Sequence, residues 1–476
     1  MKQYNQFYVD GGLVASNGAS HIPVVSPMTE QIVGEVRSCS PEDVQRAIAS
    51  AQKTLPAWAS SSLADRKALL VRLRAEIEKR TEAFAESLAR EMGCPVWLGS
   101  AMQVPMGLRG LDFAIEGIDA ITWTERVGNG LVQRVPVGVV AAITPWNFPL
   151  HQIVAKVAAA IAAGCTTVLK PSEVSPGAGH LFIEAIHASG APAGLVNLVW
   201  GGADVGHALV TSPSINKISF TGSTNVGRQI MAAAAGNLTP VTLELGGKSA
   251  AVILDDADLD LAIPAVARLA LVNAGQACVS QSRLIAPTRL VPEIVDRFRA
   301  ALEAWPMGDP MSVETRLGPV ATVSQFGHVN RMIEQAQADG ARLCTGGDGA
   351  TSKQSPGWFV PPTLFSNVTP DMDIAQKEVF GPVLALMGYD SVTDAIRLAN
   401  STRYGLSGAV WSADVAQATA FASKMTTGQV VINGAPQNLA TPFGGVGDSG
   451  FGRENGRFGI EELLTYRSVH GAEALS

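Results

Sequence analysis

The chain has 476 residues, too many for one hydrophobic core, and at roughly 100–200 residues per domain it divides into two or three units. Hydrophobic residues make up 47% and charged residues 16%, which excludes extended disorder and leaves ample apolar material for large cores. A net charge of −7 gives no electrostatic reason to bind nucleic acid or an anionic membrane, so neither is expected as a partner.

The stretch from Met1 to Asp10 lacks the apolar run of a secretory signal, and no later segment holds about 18 uninterrupted apolar residues, so the cytoplasm is the expected compartment. The first part of the chain reads as helical. Ser40-Pro41-Glu42-Asp43 places a cap residue before a first-turn proline and two acids. Leu70, Leu73 and Ile77 then keep helical spacing, giving a second amphipathic helix that ends before Gly93-Cys94-Pro95. Residues 119–136 are polar and alternating around Trp123 and Gly128-Asn129-Gly130, a hairpin-like insertion.

From about residue 137, short apolar runs alternate with helical stretches: 137–144, 166–169, 196–200, 215–220 and 241–245, with crossover helices expected over 152–163 and 177–188. The region reads as a doubly wound α/β sheet, whose strand ends often bind nucleotides. A second series, 250–254, 283–286, 383–386, 408–411 and 430–433, reads as a second α/β domain. The tail over 461–472, with Leu463-Leu464-Thr465-Tyr466, is expected to pair either with the hairpin or with another subunit.

Five cysteines (Cys39, Cys94, Cys165, Cys278 and Cys344) are odd in number and dispersed, without a C-x-x-C pair; reduced thiols and no metal site are expected. The only G-x-G-x-x-G, Gly445-Val446-Gly447-Asp448-Ser449-Gly450, follows a Pro-Phe turn rather than a strand and is rejected as a dinucleotide fingerprint. Gly222-Ser223-Thr224-Asn225-Val226-Gly227-Arg228 has the glycine spacing of a P-loop without its Lys-Ser/Thr. Following a strand and opening a helix, it suits either a phosphate or an ordinary turn. Cys278, three residues after Gly275, is either a nucleophile or a packed thiol. Glu244, at the end of an apolar strand, is either functional or salt-bridged.

Taken together, several stretches give the chain a resemblance to the aldehyde dehydrogenase superfamily from near its start to near its end. They are Thr144-Pro145-Trp146-Asn147-Phe148-Pro149, Lys170-Pro171-Ser172-Glu173, Phe220-Thr221-Gly222-Ser223, Glu244-Leu245-Gly246-Gly247-Lys248, Gly275-Gln276-Ala277-Cys278, Glu378-Val379-Phe380-Gly381-Pro382, and Pro442-Phe443-Gly444-Gly445 with Ser449-Gly450. The resemblance implies an α/β fold with a Rossmann-like NAD-binding domain lacking the usual glycine fingerprint (1–118 and 137–245). It also implies a second α/β catalytic domain (246–445) and a small β oligomerisation arm (119–136 and 446–476), making a homodimer or homotetramer the expected assembly.

It further implies that Cys278 attacks an aldehyde to form a thiohemiacetal. Asn147 and the Cys278 backbone N–H would form the oxyanion hole, where one lost donor typically costs about 2.7–4 kcal/mol. Glu244 would be the base that hydrolyses the resulting thioester to a carboxylic acid. Lys170 and Glu173 match the positions that hold the adenosine ribose, favouring NAD over NADP, because a carboxylate repels a 2′-phosphate. Gly222 and Ser223 match the pyrophosphate contact, Trp146 the cofactor cleft, and Glu378 with Phe380 the nicotinamide ribose; Lys248 reads as structural. Leu150-His151-Gln152, with Ala155 where several relatives carry tryptophan, is similar to a subgroup acting on ω-oxo fatty acids, so a medium-chain or ω-oxo acid aldehyde is the expected substrate. A CoA-acylating enzyme, which commonly lacks the Glu244 base, a catalytically silent paralogue, and a cysteine hydrolase without nicotinamide are the competing readings.

Overall fold

The computed structural model describes residues 1–347 and 356–471. Two sheets, each with its own apolar core, account for most of the chain. In the first, five strands run parallel in the order Val241–Glu244, Lys217–Thr221, Val139–Ile143, Thr166–Lys170 and Val196–Leu198. Val139–Ile143 and Lys217–Thr221 are neighbours in space but distant in the chain. Connections leave that point in opposite directions, which opens a crevice at the C-terminal strand ends. The central strands are buried on both faces, as continuous Val, Ile, Leu and Ala runs require.

The helix Pro149–Ala163 follows Val139–Ile143 and is mostly apolar, with His151, Gln152 and Lys156 as its polar residues, and all its residues except Ala155 are buried. Ser40 caps Pro41–Ala59 through a reciprocal capping box with Asp43. The single amphipathic helix expected through residue 77 to the Gly93 break is two, Leu63–Glu78 and Thr81–Met92, because Arg80 leaves helical geometry.

The helical expectation for the first part of the chain fails before residue 40. Gln6–Val9 and Gly12–Ala15 add antiparallel strands to the edge of the first sheet, and Lys2–Tyr4, Ile32–Arg37 and His21–Val25 form a small sheet of their own. Each is three to six residues long, and all but Gln6–Val9 are largely half-exposed or exposed, too short and mixed to show a period.

The second sheet contains the five expected strands, Ala250–Ile253, Arg283–Pro287, Val383–Tyr389, Ser407–Trp411 and Gln429–Ile432, all parallel. It also contains two not foreseen, Thr363–Ser366 and the bulged antiparallel edge Arg342–Thr345. The hairpin is real: Thr124–Val127 pairs with Gly130–Pro136, which pairs in turn with Leu464–His470 of the same chain. The segment 446–463, grouped with this arm on sequence, lies elsewhere. Gly450–Phe451 extends the first sheet antiparallel to Val241–Glu244, and Gly456–Glu461 is a helix whose Gly456 and Arg457 backbone is close to Gly117 of Val104–Asp119. Residues 472–476 of the expected arm lie outside the described residues. Among the described residues no helix is long and apolar enough to cross a membrane, and no cluster of three or more His, Cys, Asp or Glu could hold a metal ion.

Candidate active site

The crevice at the C-terminal strand ends holds a hollow of about 560 Å³ lined by Trp146, Lys170, Glu173, Gly222 and Ser223. It shares Trp146, Gly222 and Ser223 with a second space of about 630 Å³, which reaches Asn147, Glu244, Cys278, Glu378 and Phe380. All ten residues singled out in the sequence therefore line one continuous cleft, although they span residues 146 to 380 of the chain.

Each is delivered by an element boundary. Trp146 and Asn147 lie in the loop from Val139–Ile143 to the helix Pro149–Ala163, Lys170 ends its strand, and Glu244 is the last residue of Val241–Glu244. Ser223 caps the helix Thr224–Ala234, accepting from the Val226 N–H at 3.3 Å, so free N–H groups and the positive helix end face the cleft. Lys170 Nζ and Glu173 Oε2 lie 3.5 Å apart. The rejected Gly445–Gly450 motif is a turn, and it opens no helix. Its Ser449 Oγ donates to the Gly246 carbonyl at 2.7 Å, bracing the loop just past Glu244.

Cys278 follows a backbone that only fixed contacts can hold. Asn273, Ala274 and Gly275 are consecutively left-handed, with φ of 54°, 55° and 72°. For the two non-glycine residues that costs on the order of 1–3 kcal/mol each. A Cβ at Gly275 would lie 2.1 Å from the Gly381 carbonyl oxygen, so glycine is required there. The turn is fastened by side-chain amides: Asn273 Nδ2 donates to the Asn147 carbonyl at 2.9 Å, Gln276 Nε2 to the Asn273 carbonyl at 2.9 Å, and the Ala321 N–H to Gln276 Oε1 at 2.9 Å. Asn147 Nδ2 donates to the Gln276 carbonyl at 3.0 Å. An amide nitrogen has two hydrogens. One fixes the side chain's orientation, and the other remains for an oxygen in the cleft.

Glu244 is 1% exposed, and neither carboxylate oxygen has a hydrogen-bond partner among the described residues. Burial, reinforced by the negative charge of Glu454, raises its pKa well above 4.5, with Lys156 opposing. Burial, then the charges of Glu244 and Glu378, also raise the Cys278 thiol well above 9. At neutral pH the resting thiol therefore keeps its proton. Burial brings Glu378 up to about 7 although the Gly247 N–H donates to its Oε1 at 2.9 Å. Phe380, at φ 52°, stands edge-on to Trp146 with ring centroids 5.7 Å apart, and Gln325 Nε2 holds its backbone by donating to the Val379 and Phe380 carbonyls, each at 2.9 Å.

Sequence reasoning missed Gln325 and the buried ion pair of Lys156 with Glu454 behind the site, where Lys156 Nζ also donates to Thr221 Oγ1 at 2.6 Å. A lone lysine in the apolar helix Pro149–Ala163 was the available signal for Lys156. Lys248 is fully enclosed with no hydrogen-bond partner for Nζ among the described residues, and burial followed by the Arg283 charge brings its pKa down to about 7.

A sequence profile of the aldehyde dehydrogenase family matches residues 13–469. The chain belongs to the aldehyde dehydrogenase family. That is a family of oxidoreductases, and relatives of known name agree with it along the whole chain. A 3-succinoylsemialdehyde-pyridine dehydrogenase from a Pseudomonas species is 41% identical over 475 residues, covering 99% of this chain and 100% of its own. A geranial dehydrogenase from Castellaniella defragrans is 40% identical, with 98% of each chain covered. Among solved structures, aldehyde dehydrogenase C from Pseudomonas syringae, a cysteine-to-alanine mutant complexed with NAD+ and octanal, superposes with a TM-score of 0.97 at 40% identity, covering 99% of this chain and 98% of that one.

Proposed function

We propose that this aldehyde dehydrogenase oxidises a medium-chain aldehyde to its carboxylic acid with NAD, through a cysteine thiohemiacetal and a thioester hydrolysed by water. The observation that carries the reading is the meeting of Cys278, Glu244 and Asn147 in one cleft that continues into the strand-end hollow.

The cleft fits a dinucleotide on its own features. The helix start at Ser223 suits a pyrophosphate, Glu173 beside Lys170 suits ribose hydroxyls and repels a 2′-phosphate, and Glu378 with Phe380 lies toward the thiol, where a second ribose would sit. When bound, the oxidised nicotinamide supplies the acceptor for two electrons and one hydrogen from the aldehyde carbon, and its positive charge favours the thiolate.

The rest is done by the chain's own groups. The Cys278 thiol gives up its proton to solvent through the open cleft, its Sγ forms a bond to the carbonyl carbon, and the C=O π electrons move onto the oxygen as negative charge. The free Asn147 amide hydrogen and the Cys278 backbone N–H receive that charge. After oxidation the carbon is held as a thioester. Glu244 removes a proton from water, the hydroxyl adds to the carbonyl, and the carbon–sulfur bond breaks to release acid and thiolate. One aldehyde and one water give one carboxylic acid, with two electrons and one hydrogen on the cofactor and one proton released.

A medium-chain substrate is supported by the octanal bound in the P. syringae relative and by the named activity of the geranial relative. Glu244, which supplies a hydrolytic base, weighs against acyl transfer to coenzyme A. The test is absorbance of reduced cofactor with octanal and ω-oxo acid aldehydes, using NAD or NADP, with and without coenzyme A. NAD-linked turnover independent of coenzyme A is expected, with NADP markedly poorer. Strict dependence on coenzyme A would replace the hydrolytic reading with the acylating one.

The assembly proposed is a homodimer or homotetramer. Its support is the arm, whose Thr124–Val127 and Leu464–His470 strands are almost wholly exposed and carry Val127 and Tyr466 at 62% and 68% exposure. Light scattering on the eluted protein is expected to return a mass of two or four chains; a monomer mass overturns it.

A further inference from the structure

Of the helix Pro149–Ala163, only Gln152 lines the space of about 630 Å³ that also reaches Asn147, Thr221, Glu244 and Cys278. Gln152 is 5% exposed, and the oxygen of its amide is fixed. Lys156 Nζ can only donate, so Thr221 Oγ1 accepts from it at 2.6 Å and turns its own hydrogen to Gln152 Oε1, 3.1 Å away. That bond settles which end of the amide is nitrogen. Nε2 then carries two hydrogens, and neither has a partner among the described residues. A buried donor left open calls for an acceptor, and the cleft is where Gln152 meets open space.

Strand register says what stands across from it. Thr221 and Glu244 are paired residues of adjacent parallel strands, so their side chains leave the same face of the sheet, roughly 4.8 Å apart. Gln152 is anchored on Thr221, and the Glu244 carboxylate oxygens, like Nε2, have no partner among the described residues. The amide and the carboxylate therefore do not bond each other, and a gap of roughly one strand spacing is what a single bridging water spans. Nε2 only donates and an ionised carboxylate only accepts, so together they fix the oxygen and one hydrogen of that water.

We propose that Gln152 holds the hydrolytic water for its attack on the thioester. The inference deepens the aldehyde-oxidising reading above and rests on it. The water accepts from Nε2–H through one lone pair and gives a proton to Glu244, while its second lone pair forms the bond to the thioester carbon. The carbonyl π electrons move onto the oxygen. On their return the carbon–sulfur bond breaks, leaving the acid and the Cys278 thiolate. No water is consumed before oxidation, so Gln152 acts in the second half of the reaction alone.

The experiment is a single turnover of octanal with NAD and the whole enzyme in excess, quenched at intervals and read separately for reduced cofactor and octanoic acid. The delay between the two is the lifetime of the acyl-enzyme. Gln152→Met keeps the length of the side chain but cannot donate. It is expected to reduce the cofactor within about twofold of the wild-type rate and to lengthen the delay about tenfold, the worth of one neutral hydrogen bond in the hydrolytic step. Partial unfolding would lower the amplitudes and leave these first-order rates as they are. Hydroxylamine, whose nitrogen attacks a thioester without a held water, is expected to bring the two delays together. An unchanged delay, cofactor reduction slowed as much as acid release, or a delay that hydroxylamine leaves long in the variant each overturns the role of Gln152 while leaving aldehyde oxidation standing. A wild type that yields no reduced cofactor, or none of the acid, overturns the underlying reading instead.

Discussion

Cys278→Ala is expected to lower aldehyde turnover by at least about ten-thousandfold while leaving NAD binding intact, because a missing nucleophile removes the only route to the covalent intermediate. No neighbouring thiol can substitute: Cys39, Cys94 and Cys165 are buried, and Cys344 lies on the edge strand Arg342–Thr345. Cys278 is close enough to Glu244 for each to raise or lower the other's ionisation, and is reached by the cleft that also contains Asn147. Alanine fits without strain, since the left-handed turn ends at Gly275, three residues earlier. The measurement pairs steady-state kinetics with quenching of tryptophan fluorescence by NAD. Residual turnover above a few per cent would show that the chemistry does not pass through this sulfur.

Glu244→Gln separates the two halves of the reaction. The amide keeps the shape of the carboxylate but is no base, so thioester hydrolysis is expected to slow by about a hundred- to ten-thousandfold, the usual worth of a positioned general base. Acylation continues, and a rapid burst of reduced cofactor close to one per site precedes the slow phase. The sign of the pH effect follows from burial. A carboxyl held well above 4.5 is charged only above that raised pKa, so the wild-type steady-state rate climbs with pH through a limb displaced upward from an ordinary glutamate. The variant loses that limb. If the burst slows as much as the steady state, Glu244 acts before oxidation and the division of labour proposed for it fails.

What could be read from residues alone followed burial. Val139–Ile143 and Thr166–Lys170 announce themselves because a strand covered on both faces must be apolar throughout. Lys2–Tyr4, His21–Val25 and the bulged Arg342–Thr345 did not, since partly exposed strands carry mixed residues and depend on pairing with distant partners. The motifs around Cys278 and Glu244 were legible through their resemblance to a family, and their gathering into one cleft is what the fold adds. The amide clasp around Asn273 and Gln276 was not legible, because polar side chains bonded to backbone carry no period. Nor was the placement of residues 450–461 against the first sheet, which two strand residues and one short helix turn cannot signal.

The pairing of Lys156 with Glu454 spans 298 positions, and the adjoining Gly450–Phe451 strand is equally late in the chain. A growing polypeptide halfway off the ribosome thus has its cofactor sheet one edge short and an amine with no counter-ion to let it sink into the interior, and an unpaired buried charge is strongly unfavourable. The helix that carries Lys156 also carries His151, and its start adjoins Asn147. The helix beside Asn147 therefore keeps a buried, uncompensated amine until residue 454 has been made, and a product truncated before that residue carries Cys278 on an unfinished scaffold.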